Sequence, residues 1–482
     1  MIPFAGFSPD IDPVTPGVLT NCVNAIPTDN GMQGVPSAIV AVSGLGALAA
    51  ACRGSAVLMN TGGTRRHFAG TQTKLYELSG TAWVDVSKSG NYVGSSESRW
   101  LYDQFGNVGL ASNDVEKIQW STSGAFQDIT AAPSARIMFT TDNFVFAADY
   151  NHTAAGDVPD GWWCSAYQDY SSWTTSVTTQ ATSGRLIGSG GPLTAGWRLG
   201  PYAVLYKNTN IFLGSYVGSP VVWQFERVPG DAGCVGPEAL CDIGGTHIFL
   251  GEDNFWSFDG TRPIPIGNQI RRWFFRNSNS AYRYRTIAKF DRRNGYVYFF
   301  YPSTSSTVLD RAVVYHLATG KWGAANITVE AVVNFIGQGV TWNTFGTIAS
   351  TWDTLPDTPW DSPLWSAGSK GFAIFNSSHE LKLLSGTSAG GSFTTGDFGD
   401  DTRVTRLNAS RVRFLTEPDS ATAQGFYKMS EGGSLTTGDT TSLSDGKFDH
   451  RQEGRFHRIA YTFTGPFEAT GMVAEVKPSG FR

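Results

Sequence analysis

Residues 286–323 decide the fold class, and they read TIAKFDRRNGYVYFFYPSTSSTVLDRAVVYHLATGKWG. Short apolar and aromatic runs alternate here with turns rich in Asn, Asp, Gly and Ser, which is the pattern of β-strands joined by tight turns. The pair Asn294-Gly295 predicts a hairpin, because a type I′ turn needs positive φ at both central residues. The stretch therefore predicts a meander of short antiparallel strands.

The same rhythm extends over residues 47–336. Clusters of about four strands recur every 40–50 residues or so, a spacing typical of β-propeller blades. Examples are SAVLMNTGG, ARIMFTTDNFVFAADYN and ALCDIGGTHIFLGEDNFWSF. We therefore predict an all-β protein with a propeller-like body of six blades. The Trp-rich segment 161–185 is either part of a blade or an insertion.

Composition supports this fold class. Only 16% of the 482 residues are charged, against roughly 25% in an average soluble protein, while 56 are Gly and 13% are aromatic. These residue types favour strands and turns over helices. A hydrophobic fraction of 41% excludes a disordered chain. The net charge of −5 argues against a protein whose main function is to bind the phosphate backbone of nucleic acids.

The cysteines and the N-terminus narrow the class further. Five cysteines are scattered without CxxC spacing, so we expect buried reduced thiols rather than a zinc site or a disulfide framework. The N-terminus MIPFAGFSPDIDP has no basic region, so no signal peptide is predicted. The apolar runs are also too short for a membrane span.

The remaining segments divide around the predicted propeller. Six prolines interrupt residues 1–46, which we expect to be an extended arm. Residues 337–370 are rich in Pro and Trp and predict a long insertion or docking loop, with Trp352, Trp360 and Trp365 as candidate contact residues. Residues 371–482 predict a C-terminal β-rich region that either closes the propeller or forms a separate sandwich. One helix is predicted at 269–277.

No catalytic set emerges. GTSAG at 386–390 matches the G-x-S-x-G pattern, but a nucleophile elbow needs a helix after it, and GSFTTGD at 391–397 predicts a turn. This string recurs as GSLTTGD at 433–439, which is either a repeat or chance. The seven histidines are dispersed, and no pair of turn carboxylates stands out as a glycosidase acid and base. We predict no enzyme, metal site or cofactor.

One stretch is strongly basic. It contains a single acid, Asp291, and its cations are Arg262, Arg271, Arg272, Arg276, Arg283, Arg285, Lys289, Arg292 and Arg293. Such a cluster could face an acidic partner or nucleic acid, or line a channel or subunit interface. We favour an interface or solvent over DNA, because the chain as a whole is acidic.

Several stretches together resemble one family. They are GFSPDIDPVTPGVLTNCVNAIPTDNGMQGVPS, DGWWCSAYQDYSSWTTSVTTQATSGRLIG, YAVLYKNTNIFLGSYVGSPVVWQFERVPGDAGCVGPEAL, TWDTLPDTPWDSP, DGKFDHRQEGRFHRIAYTFTG and GMVAEVKPSGFR. In this order, over nearly the full length, they are similar to the tail nozzle proteins of short-tailed bacteriophages, also called packaged-DNA stabilisation or tail tubular proteins.

The resemblance implies a role in the virion tail. It implies a propeller-like body with further β domains, assembled in the host cytoplasm into a ring, commonly a homohexamer, below the portal and adaptor rings. Such a ring continues the DNA channel, retains the packaged genome without sequence-specific binding, and anchors tail fibres, spikes or a needle until ejection.

Two other functions remain open at this point. The first is a carbohydrate-binding, lectin-like propeller at the tail tip, motivated by Trp clusters that we expect to be exposed, such as Trp162-Trp163 and Trp352 with Trp360 and Trp365. The second, which is less favoured, is a glycan hydrolase in the propeller.

Overall fold

The computed structural model describes residues 1–337, 351 and 370–480. Strands dominate this part of the chain, and the only α-helix in it has seven residues. Residues 1–46, expected to be an extended arm, supply six short strands to three different sheets. These strands are β1 (Ile2–Pro3), β2 (Gly6–Phe7), β3 (Val18–Val23), β4 (Ala25–Pro27), β5 (Met32–Gly34) and β6 (Ser37–Val40).

Five consecutive antiparallel sheets of four strands follow, each built from neighbouring segments of the chain. Blade 1 has β7 (Gly54–Met59), β8 (Arg65–Gly70), β9 (Leu75–Ser79) and β10 (Ala82–Asp85). Blade 2 has β11 (Leu101–Phe105), β12 (Val108–Ser112), β13 (Gln119–Ser121) and β14 (Gln127–Asp128). Blade 3 has β15 (Ser134–Thr141), β16 (Phe144–His152), β17 (Gly156–Cys164) and β18 (Thr182–Arg185), so strands of segment 161–185 belong to a blade.

Blade 4 has β19 (Leu193–Leu199), β20 (Tyr202–Lys207), β21 (Ile211–Gly218) and β22 (Val222–Arg227). Blade 5 has β23 (Leu240–Asp242), β24 (His247–Leu250), β25 (Phe255–Phe258) and β26 (Pro263–Pro265). The sixth separate blade combines β31 (Ala331–Ile336), β32 (Lys370–Phe375) and β33 (Leu381–Gly386) with the N-terminal strand β6. Leu383 of β33 lies opposite Ile39 of β6, so the two ends of the propeller sequence meet in one sheet.

A further four-strand meander lies in the ring between blades 5 and 6. It consists of β27 (Ile287–Asp291), β28 (Tyr296–Tyr301), β29 (Arg311–His316) and β30 (Lys321–Ala325). First strands contact one another around the ring, from β7 through to β31 and back to β7. The predicted all-β propeller with six separate blades is therefore confirmed, with this fused meander as an additional unit.

The hairpin at Asn294-Gly295 is confirmed, but its predicted turn type is wrong. Asp291 pairs with Tyr296, so four residues form the loop, and Gly295 alone among them has positive φ, at 71°. Asn294 instead donates its side-chain amide to the Asp291 carboxylate at 2.7 Å. A four-residue loop suits a type I turn followed by a left-handed glycine.

The predicted helix is also confirmed, as α1 (Arg271–Asn277), with a start two residues later than expected. The backbone N–H of Trp273 donates to the Asp10 carboxylate at 3.0 Å. A distant acid thereby satisfies a helix N-terminus whose own sequence contains no acid in the first turn. A 3₁₀ turn (Arg283–Arg285) follows before β27.

The C-terminal strands build what we call the second β body. Its strands are β34 (Gly390–Thr395), β35 (Phe398–Gly399), β36 (Val404–Thr416), β37 (Ser420–Lys428), β38 (Thr436–Ser442), β39 (Phe448–Gly454), β40 (Phe456–Thr464) and β41 (Glu468–Gly480). One of its sheets runs β2-β3-β34-β40-β37-β38, with β35 beside β40. Its other sheet contains β41, β36 and β39.

A single ten-stranded sheet joins this body to the propeller. Its order is β27-β28-β29-β30-β4-β5-β41-β36-β39, with β1 beside β41. One hydrophobic core also spans the junction, since Phe255 and Trp322 of the propeller belong to the same buried cluster as Phe393 and Tyr461 of the second β body. Phe4 of the N-terminal segment packs against Phe393 with ring centroids 4.7 Å apart. The two bodies therefore form one block without a linker between them.

Candidate functional site

A large cavity lies on the propeller axis, at the end where the first strands of the blades begin. Its volume is about 670 Å³, and charged side chains from several blades line it. Arg53 and Arg99 precede β7 and β11, Glu238 precedes β23, and Glu330 precedes β31. Because every unit starts with the strand nearest the axis, residues just before these strands converge although they are far apart in sequence.

Arginines and glutamates form one side of this cavity. Arg99 donates from Nε to Glu238 at 2.5 Å and from Nη1 to the backbone oxygen of Glu330 at 2.9 Å. Arg285 donates from Nε to Glu97 at 2.9 Å, and hydrogen bonds from Arg285 lower the pKa of Glu97. These pairs fix the arginine side chains in place.

Arg53 differs from its neighbours. Among the described residues, no carboxylate lies within ion-pair distance of its guanidinium, whose pKa is lowered by burial and then by the nearby charge of Arg99. Glu97 and Glu330 partly offset this lowering, so Arg53 contributes a partly desolvated positive charge to the cavity.

Aspartates form the other side. Asp149 lies at a β-bulge in β16 with φ of 48°, and its carboxylate is 3.6 Å from Nη1 of Arg136. Burial raises its pKa to about 6, and Asp157 and Asp114 add to the rise, while Arg136 opposes it. Asp149 can therefore exchange a proton near neutral pH, unlike an ordinary surface carboxylate.

A deeper cavity of about 270 Å³ continues along the axis and shares Leu101, Pro237 and Glu238 with the first. Lys289 and Cys241 line it. Burial lowers the pKa of the Lys289 ammonium and raises the pKa of the Cys241 thiol to about 12. Neighbouring first strands contact one another around the whole axis, and side chains such as Tyr102, Trp197 and Asn334 line the small space that they enclose. Duplex DNA therefore cannot pass along the axis of one propeller.

The structure divides the predicted basic cluster among several places. Arg285 lines the large cavity, and Arg292 lines the deeper one beside Arg293, at the opposite end of β27. Arg283 packs over the ring of Phe275 at 4.5 Å. The others are exposed, on α1 (Arg271, Arg272 and Arg276) and in the turn before β26 (Arg262). These arginines do not form one surface.

The predicted tryptophan sites have different outcomes. Trp352, Trp360 and Trp365 lie outside the described residues. Trp162 was expected to be exposed, and this was wrong: it is 6% exposed and packs against Phe225 with ring centroids 4.8 Å apart. Consecutive residues of a strand point to opposite faces, and both faces of a blade are covered by neighbouring blades.

Sequence reasoning missed Arg53, Arg99, Asp149 and Glu238 as residues of one site. For Arg53, Arg99 and Glu238, the available signal was a charged residue one or two positions before the first strand of a blade. No such signal marks Asp149, which lies within β16. Within residues 1–337, 351 and 370–480, no group of three His, Cys, Asp or Glu side chains could hold a metal ion. No helix in that same part is long and apolar enough to cross a membrane.

Comparisons with known proteins add little. No family model and no curated protein matches the chain. Among solved structures, the Pan2 WD40 domain of Neurospora crassa is 8% identical with a TM-score of 0.37, over 70% of this chain and 89% of that one. YCF48 bound to D1 peptide is 13% identical with a TM-score of 0.32, over 62% and 86%. An exo-beta-1,3-galactanase from Phanerochaete chrysosporium is 9% identical with a TM-score of 0.29, over 92% and 100%. Likenesses this weak carry no argument, so the propeller assignment rests on the strand pairing of this chain.

Proposed function

We propose that the chain is a structural component of a bacteriophage tail, which assembles as a ring, six copies being the expected number, below the portal and adaptor. The sequence resemblance to tail nozzle proteins motivates this function. In the tail the ring would retain the packaged genome and anchor fibres, spikes or a needle.

The main structural support for this proposal is the ten-stranded sheet that joins the propeller to the second β body. The connection runs through three consecutive strand pairs, with Ala324 opposite Ala25, Ala25 opposite Gly34, and Gln33 opposite Glu468. Domains that move against each other are usually joined by exposed linkers that few contacts cross. A block without such a linker suits a wall that must keep its shape under the pressure of packaged DNA.

The narrow axial cavity also supports a multi-copy channel. Because DNA cannot pass along one propeller, a DNA channel built from this chain must lie between copies. A heterologous head-to-tail contact that closes on itself generates such a ring.

Native mass spectrometry with negative-stain imaging tests the proposal, using the full chain alone and with a portal–adaptor complex. We expect a ring with a central opening, of about 312 kDa for six copies of a 52.0 kDa chain, either free or on the adaptor. A chain that stays monomeric and does not bind the adaptor would refute this function.

Carbohydrate binding is a second candidate, favoured by an exposed pair of tyrosines rather than by tryptophans. Tyr167 and Tyr216 are 39% and 37% exposed, and their rings are parallel within 7° with centroids 6.2 Å apart. Tyr216 also donates its hydroxyl to Gln180 at 2.6 Å. Flat aromatic faces beside polar groups suit the amphipathic faces of sugar rings.

A glycan array tests this second function. Binding by the wild-type chain that Tyr167→Ala and Tyr216→Ala abolish, with the far-UV circular dichroism unchanged, would establish it. An array without any bound glycan would eliminate it.

A further inference from the structure

The outward face of β36, β39 and β41 in the second β body, which we call the basic face, carries an excess of positive charge. Its exposed acids are Asp449, Glu453 and Glu475, and each lies near a cation. Lys447 is 2.8 Å from Asp449, Lys477 is 3.1 Å from Glu475, and Arg406 is 4.0 Å from Glu453. The remaining cations on the face are Arg411, Arg413 and Arg451.

None of these three arginines forms an ion pair with a described residue. Lys477 chiefly lowers the pKa of Glu475 and Arg411 adds to this, while Lys447 chiefly lowers the pKa of Asp449 and Arg451 adds to that. Among the described residues, no carboxylate lies within 4.0 Å of their guanidinium groups, and the one polar contact of Arg411 is to the backbone oxygen of Asp445 at 3.5 Å. All three are exposed. The face therefore holds six cations against three acids in a chain whose net charge is −5.

A β-bulge brings the arginines to the same face. Residues of a strand alternate between faces, so Arg406 and Arg411, five positions apart, would point in opposite directions along a regular strand. Between Leu407 and Ala409, β36 has one residue more than β41, because Leu407 pairs with Val476 and Ala409 with Glu475. Against β39 the extra residue lies on β39 instead. Arg411 and Arg413 consequently lie on the exposed face, while Val412 is buried.

Arg411 and Arg413 occupy alternate positions of one strand, and Arg451 comes from the adjacent strand β39. A guanidinium group is a planar, fork-shaped donor that can give two parallel hydrogen bonds to one phosphate group.

We propose that the basic face contacts the phosphate backbone of duplex DNA, without reading its sequence. This inference rests on the proposed function, because a ring that surrounds DNA must present some surface to it, and the propeller axis is too narrow. Because only three arginines per copy lack an ion pair, we expect the contact with DNA to be weak and sensitive to salt. A weak contact is compatible with DNA that must move along the channel.

The test measures fluorescence anisotropy of a labelled 30-base-pair duplex with the full chain, at salt concentrations from 50 to 200 mM. The variant R411Q/R413Q/R451Q removes the three arginine charges that form no ion pair. Its matched control, R271Q/R272Q/R276Q, removes three exposed arginines from α1. Circular dichroism and urea unfolding verify that both variants are folded.

We expect the basic-face variant to bind at least about tenfold more weakly at 50 mM salt. The slope of log affinity against log salt should fall by about 2.7, since each neutralised phosphate contributes about 0.9. The control should keep the wild-type slope, and two duplexes of unrelated sequence should bind equally. Equal losses in both variants, or a wild-type chain without salt-dependent binding, would overturn the inference.

A ring-mass measurement on the same preparations separates this inference from the proposed function. A ring that forms but does not bind DNA refutes the basic face alone. A chain that binds DNA through these arginines and never forms a ring refutes the tail function alone.

Discussion

Asp397→Asn should destabilise the protein strongly, because Asp397 is a buried acid that lies between two cations in the second β body. Its side chain is 0% exposed, and its carboxylate lies 2.8 Å from Nζ of Lys428 and 2.8 Å from Nε of Arg458. The cations are themselves only 7% and 18% exposed. Asn keeps the shape of Asp but leaves both cations without a counter-charge.

The expected magnitude follows from this burial. Breaking a buried ion pair by removing one partner costs about 3–5 kcal/mol, because the charge that remains is desolvated and uncompensated. Arg458 and Lys428 lose the same partner at once, so we expect a value in the upper half of that range. The free energy of unfolding should fall by about 4 kcal/mol.

The chain contains its own control, since Asp397 and Asp439 end the two similar strings GSFTTGD and GSLTTGD. Asp439 is exposed on the edge strand β38, and no ion pair involves it in the described structure. Asp439→Asn should therefore change the free energy of unfolding by no more than about 0.5 kcal/mol.

Urea unfolding should be followed by two probes. No Trp occurs after residue 365, and the described Trp residues lie in or beside the propeller. Tryptophan fluorescence therefore does not report directly on the second β body, whereas far-UV circular dichroism reports on both bodies. Because one sheet and one core join the bodies, both probes should shift together in Asp397→Asn. Equal midpoints for the two variants would refute the buried-pair reasoning, and a shift seen by circular dichroism alone would refute the shared block.

Three further predictions concern titration and thiols. Burial lowers the pKa of His247 and of His457 to about 4, so the unfolded state binds their protons at a higher pH than the folded state does. The free energy of unfolding should therefore fall by about 2 kcal/mol for each histidine between pH 7 and pH 5. Urea titrations at both pH values should show a smaller fall for His457→Gln than for wild type. Asp149, whose pKa is raised to about 6, makes the folded state less stable as the pH rises, because its buried carboxylate then becomes charged. Asp149→Asn should therefore raise the free energy of unfolding by about 1–2 kcal/mol at pH 7.5 and leave it nearly unchanged near pH 4. A variant less stable than wild type at pH 7.5 would contradict this. All five thiols are buried and unpaired, and burial raises the pKa of the Cys22 thiol to about 12. A thiol reagent at pH 8 should therefore label no cysteine in the native protein and five after unfolding. Rapid labelling of the native protein would contradict the burial of the labelled thiol.

The sequence determined the local structure of this protein. Apolar runs bounded by Gly, Asn and Asp fixed the strands, and Asn294-Gly295 fixed a hairpin, because strand pairing across a short loop depends on neighbouring residues alone. The short helix was predictable for the same reason, although its capping acid, Asp10, was not. The five scattered cysteines already indicated buried, unpaired thiols, and the structure confirms this.

Only the tertiary structure decided which residues meet in the axial cavity and on the basic face, and which strands close the propeller. Arg53, Arg99, Asp149, Glu238 and Lys289 meet on the axis only because seven first strands surround it, and no spacing along the chain encodes that ring. Likewise β6 and β33 pair although more than 300 residues separate them, and a single bulge in β36 decides which arginines share a face. Asp397 and Asp439 end nearly identical strings, yet one is buried between two cations and the other is in solvent. Burial and charge pairing depend on what the rest of the chain packs against each residue, and a local string of amino acids does not contain that information.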